Sequence, residues 1–195
     1  GQSRRFGSNK ALARLGESGL VIERIADVLK DIFEEILVLT KDKTSLDFLK
    51  KPWLHVLNDR FQHFHPLNGL ASALSYTKTE KVFVCACDMP FINPDLIHFI
   101  CSKSQGADAT VPIWQEEIQP LLGVYSTKCL TTIDDLALFN DPRKGFRYLL
   151  SKVNTKTVNE KELGSNNQAG LTFFDIDTQE QFQQALGLLE AGHAH

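Results

Sequence analysis

Short apolar runs alternate with helical patterns along the chain, and this alternation constrains its fold more than any other feature. The predicted strands Glu35–Thr40 and Lys81–Cys87 contain consecutive apolar residues rather than an alternation of apolar and polar ones. Strands of this kind are buried on both faces, which is typical of parallel sheets covered by helices on two sides. The pattern therefore predicts a three-layer α/β/α fold with a mostly parallel sheet.

The remaining elements follow from the same patterns. Further strands are predicted at His55–Asp59, Ala109–Pro112, Leu121–Tyr125 and Leu171–Phe174. Helices are predicted through Val21–Leu29 behind an N-cap at Ser18, near Ser45–Lys50, and at Leu67–Thr77, Pro94–Lys103, Thr127–Ala137, Lys144–Lys152 and Thr178–Leu189. No low-complexity linker or internal repeat interrupts this order, so we expect residues 1–195 to form one domain.

Composition and charge exclude several classes of protein. Hydrophobic residues make up 43% and charged residues 23% of the 195 residues, and the net charge is −3. These values exclude a disordered chain and a generally basic nucleic-acid binder. No apolar run approaches the roughly 18 residues of a membrane-spanning helix, and the four cysteines form no C-x-x-C pair. We therefore expect a cytoplasmic protein with reduced cysteines and with neither a nucleic-acid nor a membrane partner.

A glycine-bearing basic loop opens the chain. Gly1 and Gly7 permit backbone conformations that other residues resist, so amide groups there can line a concave anion site. Arg4, Arg5 and Lys10 add three cations within ten residues, and guanidinium and ammonium groups suit phosphate oxygens. The alternative is a solvated basic terminus. Loops of this kind normally follow the first strand of a sheet, so we expect that strand to be missing from the chain.

Two carboxylates follow predicted strands, where ligands bind in open α/β sheets. Asp88 comes directly after Lys81–Cys87 and can hold Mg²⁺, which takes one or two carboxylates together with substrate phosphates. Asp59 ends the strand His55–Asp59 and can read a nucleoside by hydrogen bonding. For both residues the alternative is plain turn chemistry, because aspartate also favours turns.

A further acidic motif, Asp175–Thr178, follows the last predicted strand. Strand alternation would place Asp175 and Asp177 on the same side of the chain. Asp177 is then either a second metal ligand or, like Thr178, a cap of the final helix, whose first turn holds Glu180.

Several segments, in order, resemble one family of enzymes. Residues 1–11 resemble the G-x-S-x-R-[MF]-G-x-x-K segment of nucleotidyltransferases with a glycosyltransferase-A-like fold, and Leu20–Ile25 resembles the helix that follows it. Pro66–Gly69, Cys87–Ile92 and Gln119–Tyr125 are similar to segments of the molybdenum cofactor guanylyltransferases. The resemblance covers nearly the whole chain.

The resemblance implies a Mg²⁺-dependent transfer of GMP from GTP to molybdopterin, with pyrophosphate as the second product. It implies that Arg5 and Lys10 clamp the triphosphate and that Asp88 holds Mg²⁺. These three residues are the expected catalytic residues, since phosphoryl transfer needs mainly positioning and charge neutralisation from the protein.

The resemblance also implies further nucleotide contacts and partners. Gly1 and Lys41 are expected nucleotide contacts beside Lys10 and Asp88, and Asp59 is expected to contact the guanosine. Expected partners, besides the substrates GTP and molybdopterin, are proteins that deliver molybdopterin or mature molybdoenzymes and that contact this chain transiently.

The chain departs from the family pattern at three places, the first of which is the missing strand before Gly1. His65 stands where a glycine commonly precedes the proline, and Asp175–Thr178 replaces the asparagine-rich N-x-N-T of the guanylyltransferases. This last departure is more similar to the molybdopterin cytidylyltransferases and favours Asp177 as the second metal ligand. The alternatives are a related transferase that uses CTP or a sugar phosphate and, because of the missing first strand, a non-catalytic nucleotide-binding protein.

Overall fold

Strands and helices alternate in the computed structural model, which describes residues 10–60, 65–135, 145–163 and 167–192. The strands are β1 (Ile36–Thr40), β2 (Leu54–Asn58), β3 (Lys81–Cys85), β4 (Ala109–Trp114), β5 (Glu117–Ile118), β6 (Leu122–Ser126) and β7 (Thr155–Val158). The α-helices are α1 (Val21–Leu29), α2 (Asn68–Tyr76), α3 (Pro94–Lys103), α4 (Lys128–Asp135), α5 (Phe146–Leu150), α6 (Glu160–Leu163), α7 (Asn167–Thr172) and α8 (Gln179–Gly192). Short 3₁₀ helices lie at Lys10–Leu12, Gly16–Ser18 and Lys43–Leu46. Among these described helices, none combines the length and apolar character needed to cross a bilayer.

The described strands form two sheets. β1 and β2 pair in parallel, with Ile36 opposite Leu54 and Thr40 opposite Asn58. The larger sheet has the order β3-β6-β4-β5, and β7 adds to β4 in parallel. β6 runs antiparallel to both β3 and β4. The sequence does not predict this reversal, because all five residues of β6 are buried and a strand that is apolar on both faces has the same pattern in either direction.

Helices cover both faces of the larger sheet, which confirms the predicted α/β class and its layers. Leu122 and Val124 of β6 pack with α1, α3 and α8. Tyr125, the next residue, packs on the other face with α2, α4 and α5. Successive strand residues point to opposite faces, so this one buried strand contributes to both hydrophobic layers.

The predicted strand Leu171–Phe174 is wrong. α7 runs into this segment, and the residues after it form no strand. Phe173 stacks on Trp114 with ring centroids 5.0 Å apart, and Phe174 meets Phe91 edge-on at 5.8 Å. A short apolar run has the same pattern in a buried helix end as in a strand, and here aromatic packing decides the conformation.

The predicted N-cap at Ser18 is also wrong. The N-cap of α1 is Leu20, whose backbone N–H donates to Glu23 Oε2 at 3.0 Å. The glutamate in the first turn therefore satisfies the amide that a serine cap was expected to serve. The short elements β5, β7, α6 and α7 carry no periodic pattern long enough for the sequence to predict them.

The four cysteines are free thiols, as the sequence predicts. Burial raises the pKa of Cys85 to about 12 and that of Cys129 to about 11. Because the thiolate is the nucleophile and the metal ligand, these two cysteines are packing residues.

Gly123 is the position in β6 where a side chain fits worst. A Cβ atom there would lie 2.7 Å from the carbonyl oxygen of Thr110 and 2.9 Å from Cγ1 of Val111. We expect Gly123→Ala to lower the free energy of unfolding by about 1–3 kcal/mol, because the β4–β6 ladder must shift. The midpoint of urea unfolding measures this loss.

Gly187→Ala in α8 is the matched control, because no atom of the described residues lies within 4 Å of a Cβ atom at that position. Alanine is the better helix former, so this variant should be unchanged or more stable by about 0.5–1 kcal/mol. Equal unfolding midpoints for Gly123→Ala and Gly187→Ala would contradict the close packing between β4 and β6.

Candidate active site

Three charged residues from distant parts of the chain meet at one place. The Lys10 ammonium lies 3.4 Å from Asp88 Oδ2 and also donates to Asp177 Oδ1. The exposed fractions of the three side chains are 14% for Lys10, 22% for Asp88 and 47% for Asp177. The structure thus brings together the predicted phosphate cation and both predicted metal ligands.

The position of Asp88 is set by backbone contacts on both sides of its turn. The residue follows β3, and its carbonyl oxygen accepts the N–H of Ile176 at 3.0 Å. Arg24 of α1 donates through Nε to the carbonyl of Pro90 at 2.8 Å. The turn that carries Asp88 is therefore tied both to the segment that carries Asp177 and to helix α1.

The position of Asp177 is set by the start of α8. Gln181 Oε1 accepts the backbone N–H groups of Asp177 and Thr178 at 2.8 and 2.9 Å, and Thr178 Oγ1 accepts the N–H of Gln181 at 3.2 Å. This reciprocal arrangement is a capping box. Thr178 therefore supplies the cap, and the Asp177 carboxylate is left to face Lys10.

The cluster carries an excess of negative charge. Burial by itself lowers the pKa of Lys10, but the hydrogen bonds and charges of Asp177 and Asp88 outweigh it and raise that pKa above its ordinary value. Burial raises the pKa of Asp175, and the charges of Asp177 and Asp88 raise it further. In the described part of the chain, three carboxylates thus act on one ammonium, which makes this a place that attracts cations.

The donor set limits how a metal ion would be held. Within residues 10–60, 65–135, 145–163 and 167–192, no group of three or more His, Cys, Asp or Glu side chains is arranged to hold a metal ion. Asp88 and Asp177 together nevertheless already bind one cation, the Lys10 ammonium. Two carboxylates fit an ion such as Mg²⁺, which completes its shell with waters and ligand phosphates.

A second charged pair lies at the ends of β1 and β2. Lys41 directly follows β1, and Asp59 directly follows β2. The Lys41 ammonium lies 3.0 Å from Oδ2 of Asp59. The Asp59 backbone N–H donates to the Thr40 carbonyl at 2.7 Å, so the parallel pairing of the two strands continues to this point. Parallel register thus places the two predicted nucleotide contacts side by side.

One carboxylate oxygen of Asp59, Oδ1, is buried and accepts no hydrogen bond from the residues that the structure describes. Its side chain is 12% exposed. A buried acceptor without a donor costs about 1–3 kcal/mol, and a bound ligand with an N–H or O–H group would remove that cost. A ligand contact at Asp59 would thus satisfy an atom that plain turn chemistry leaves unpaired.

The remaining predicted site residues fall outside the described part or have another role. Gly1 and Arg5 lie outside the described residues. His65 is buried, and its Nδ1 accepts the backbone N–H of Leu67 at 3.2 Å, just before α2. The histidine at the position of the expected glycine therefore supports the start of a helix.

Sequence reasoning missed Arg24 and Gln181 as supports of the site. The pattern Thr178-x-x-Gln181 is the signature of a capping box and was sufficient to find the second of them. Nothing in the sequence around Arg24 indicates its contact with Pro90, because that contact joins segments 66 residues apart.

An open cavity lies elsewhere, along β2. It is lined by polar and apolar side chains that include Lys50, Lys51 and His55. Lys10, Asp88 and Asp177 do not line it, and neither Lys41 nor Asp59 does. The cavity is therefore separate from the Lys10–Asp88–Asp177 cluster and from the Lys41–Asp59 pair.

Known proteins resemble this chain over nearly its full length. A probable molybdenum cofactor guanylyltransferase of Pelotomaculum thermopropionicum is 32% identical over 97% of this chain and 90% of that protein. The molybdenum cofactor guanylyltransferase of Desulfosudis oleivorans is 29% identical over 98% and 93% of the two chains. The crystal structure of molybdopterin-guanine dinucleotide biosynthesis protein A from Archaeoglobus fulgidus superposes with a TM-score of 0.82 at 21% identity, covering 98% of this chain and 95% of that one.

A family model agrees with these individual similarities. The model for the MobA-like NTP transferase domain matches residues 1–156, which include Lys10, Lys41, Asp59 and Asp88. The resemblance seen in the sequence motifs is confirmed by this match and by the relatives. This chain belongs to the family of MobA-like NTP transferase domains.

Proposed function

We propose that this protein transfers GMP from GTP to molybdopterin and releases pyrophosphate, and that residues 1–195 form a single nucleotidyltransferase domain. The observation that carries the proposal is the contact of Lys10 with both Asp88 and Asp177. It joins a cation suited to phosphate with two carboxylates suited to a metal ion, as nucleotidyl transfer requires. Relatives at 32% and 29% identity are named molybdenum cofactor guanylyltransferases.

The proposed reaction needs little covalent chemistry from the protein. An oxygen of the molybdopterin phosphate forms a bond to the α-phosphorus of GTP, and the bond from that phosphorus to the bridging oxygen of pyrophosphate breaks. The attacking oxygen is already anionic, so no side chain has to remove a proton. Catalysis then depends on aligning the two substrates and neutralising charge.

Each proposed residue has one task in that alignment. Lys10 binds oxygen atoms of the triphosphate, and Arg5, outside the described residues, adds a second cation. Asp88 and Asp177 would hold Mg²⁺, which when bound neutralises charge on the leaving pyrophosphate. Gly1 would offer its backbone to the nucleotide.

The Lys41–Asp59 pair is proposed to contact the guanosine. Asp59 Oδ1 is buried and has no donor among the described residues, whereas the nucleoside offers N–H and O–H donors. Lys41 holds the other carboxylate oxygen of Asp59 at 3.0 Å and so orients the carboxylate toward the ligand. This pair would discriminate among nucleosides, while Lys10 and Asp88 act on the phosphates.

The proposed surroundings of the enzyme follow from its substrates. GTP and molybdopterin are small anionic molecules, so we propose a cytoplasmic enzyme that has no nucleic-acid or membrane partner. Proteins that deliver molybdopterin or accept the dinucleotide are proposed as transient partners.

The test is pyrophosphate release by the purified chain with GTP, Mg²⁺ and molybdopterin. We expect release that requires all three components and that falls sharply when CTP replaces GTP. Release with CTP but not GTP would favour the cytidylyltransferase alternative. A stabilising shift of the melting temperature by GTP without any release would instead favour a non-catalytic nucleotide-binding protein.

A further inference from the structure

The ammonium of Lys10 contacts both carboxylates that would hold a metal ion. It contacts one carboxylate oxygen of Asp88 and one of Asp177. Two unit charges of the same sign at a separation of about 4 Å repel by about 1 kcal/mol even in water and by more near a protein surface. A divalent cation and the Lys10 ammonium therefore compete for the same pair of carboxylates.

We propose that Lys10 is the resident cation of the Asp88–Asp177 pair and that a divalent metal ion enters only when a triphosphate draws the ammonium away. The inference rests on the proposed function. It adds that the metal ion binds together with the nucleotide and not before it. Lys10 is then the residue that couples the two ligands. In the nucleotide-free protein, the Lys10 ammonium forms ion pairs with both carboxylates.

The local structure allows the ammonium to change partners without unfolding the site. Lys10 begins a short 3₁₀ helix whose next residue, Ala11, is 5% exposed and packs in a hydrophobic cluster. The backbone is thus anchored, while the ammonium sits at the end of a flexible four-carbon stem. A triphosphate offers more negative charge than the two carboxylates, so it can attract the ammonium.

The carboxylates themselves stay in place during this exchange. Asp88 is held through its own carbonyl by Ile176, and Asp177 is held through its amide by Gln181. Neither of these backbone contacts involves Lys10. The pair is therefore pre-formed for a second cation once the first has left.

The exchange of partners by Lys10 affects how strongly the binding of metal and the binding of nucleotide are coupled. Coupling between two ligands is reciprocal, so nucleotide raises metal affinity by the factor by which metal raises nucleotide affinity. Part of that factor comes from direct contact between metal and phosphates, and part from the release of Lys10. Removing the ammonium should raise metal affinity in the nucleotide-free protein and shrink the coupling factor by the same amount.

The experiment is a titration with Mn²⁺, which has the charge and oxygen preference of Mg²⁺ and whose free concentration is read from its paramagnetic resonance signal. It is run without nucleotide and with GTP on the wild type, Lys10→Met and Lys10→Arg. Lys30→Met is the control for net charge, because Lys30 is exposed and pairs with Asp27. Thermal melting checks that each variant is folded.

We expect Lys10→Met to bind Mn²⁺ without nucleotide about 5- to 150-fold more tightly than the wild type, the range of typical coupling factors. Lys10→Arg keeps a cation and should bind as weakly as the wild type, and so should Lys30→Met. Equal nucleotide-free affinities for Lys10→Met and the wild type would overturn the inference. If Lys10→Met does not fold, the wild type decides, because Mn²⁺ binding that is as tight without GTP as with it overturns the inference too.

The outcomes separate this inference from the proposed function. If GTP binds and pyrophosphate is released while Lys10→Met leaves the nucleotide-free Mn²⁺ affinity unchanged, only the inference fails. If GTP neither binds nor changes Mn²⁺ affinity in the wild type, the proposed function fails.

Discussion

Replacing Asp88 with asparagine is expected to slow pyrophosphate release by about 100-fold or more, the loss seen when one electrostatic group of an active site is removed. The amide has the shape of the carboxylate but lacks its negative charge, so it binds a divalent metal ion more weakly. The fold should survive, because Asp88 lies in a turn and its carbonyl still accepts from Ile176. Steady-state turnover over a range of Mg²⁺ concentrations measures the loss.

Asp95→Asn is the matched control for this variant. Asp95 is exposed in the first turn of α3, and it lies only seven residues after Asp88 in the sequence. Its turnover should equal that of the wild type. Wild-type rates in Asp88→Asn, or equal losses in both variants, would show that Asp88 does not hold the metal.

Replacing Lys10 with alanine is expected to weaken GTP binding by about 10- to 150-fold when no divalent metal is present, since a hydrogen bond to a charged group contributes about 1.5–3 kcal/mol. Asp88 and Asp177 would then face the phosphates without a counter-charge. The affinity for GMP, which lacks the β- and γ-phosphates, should fall much less. Calorimetric titration with the two nucleotides gives both values.

The comparison of the two nucleotides is what assigns the role of Lys10. A residue that only supports the fold would weaken GTP and GMP binding by the same factor, and that result would exclude a triphosphate contact. Lys30→Ala removes a cation from an exposed pair with Asp27. It should leave both affinities unchanged.

The centre of the candidate site is predictable from the sequence because its residues are tied to element ends. Asp88 follows β3 and Asp59 follows β2, and ligands of open α/β folds bind at such strand ends. The contact of Lys10 with Asp177 spans 167 residues. No local pattern predicts that contact, and the sequence alone leaves Asp177 divided between a cap and a metal ligand. The structure shows that Thr178 caps the final helix, which leaves the Asp177 carboxylate available as a ligand.

Prediction of the fold succeeds where the hydrophobic patterns are long, and it fails where they are short. α3 begins and ends at the residues expected from Pro94 and the apolar spacing behind it. The direction of β6 is set by its pairing with β3 and β4, which is a long-range property. The segment Leu171–Phe174 is shaped by the stacking of Phe173 on Trp114, a contact that the run of apolar residues does not reveal.

The central claim is that Asp88 and Lys10 hold opposite sides of one metal–triphosphate complex. A crystal structure of the chain with GTP and Mn²⁺, with the metal located by its anomalous scattering, tests it most directly. We predict a Mn²⁺ peak bonded to the Asp88 carboxylate, the Lys10 ammonium on the triphosphate and the nucleoside beside Asp59. A metal and nucleotide bound instead in the cavity along β2, next to Lys50 and His55, would contradict the claim.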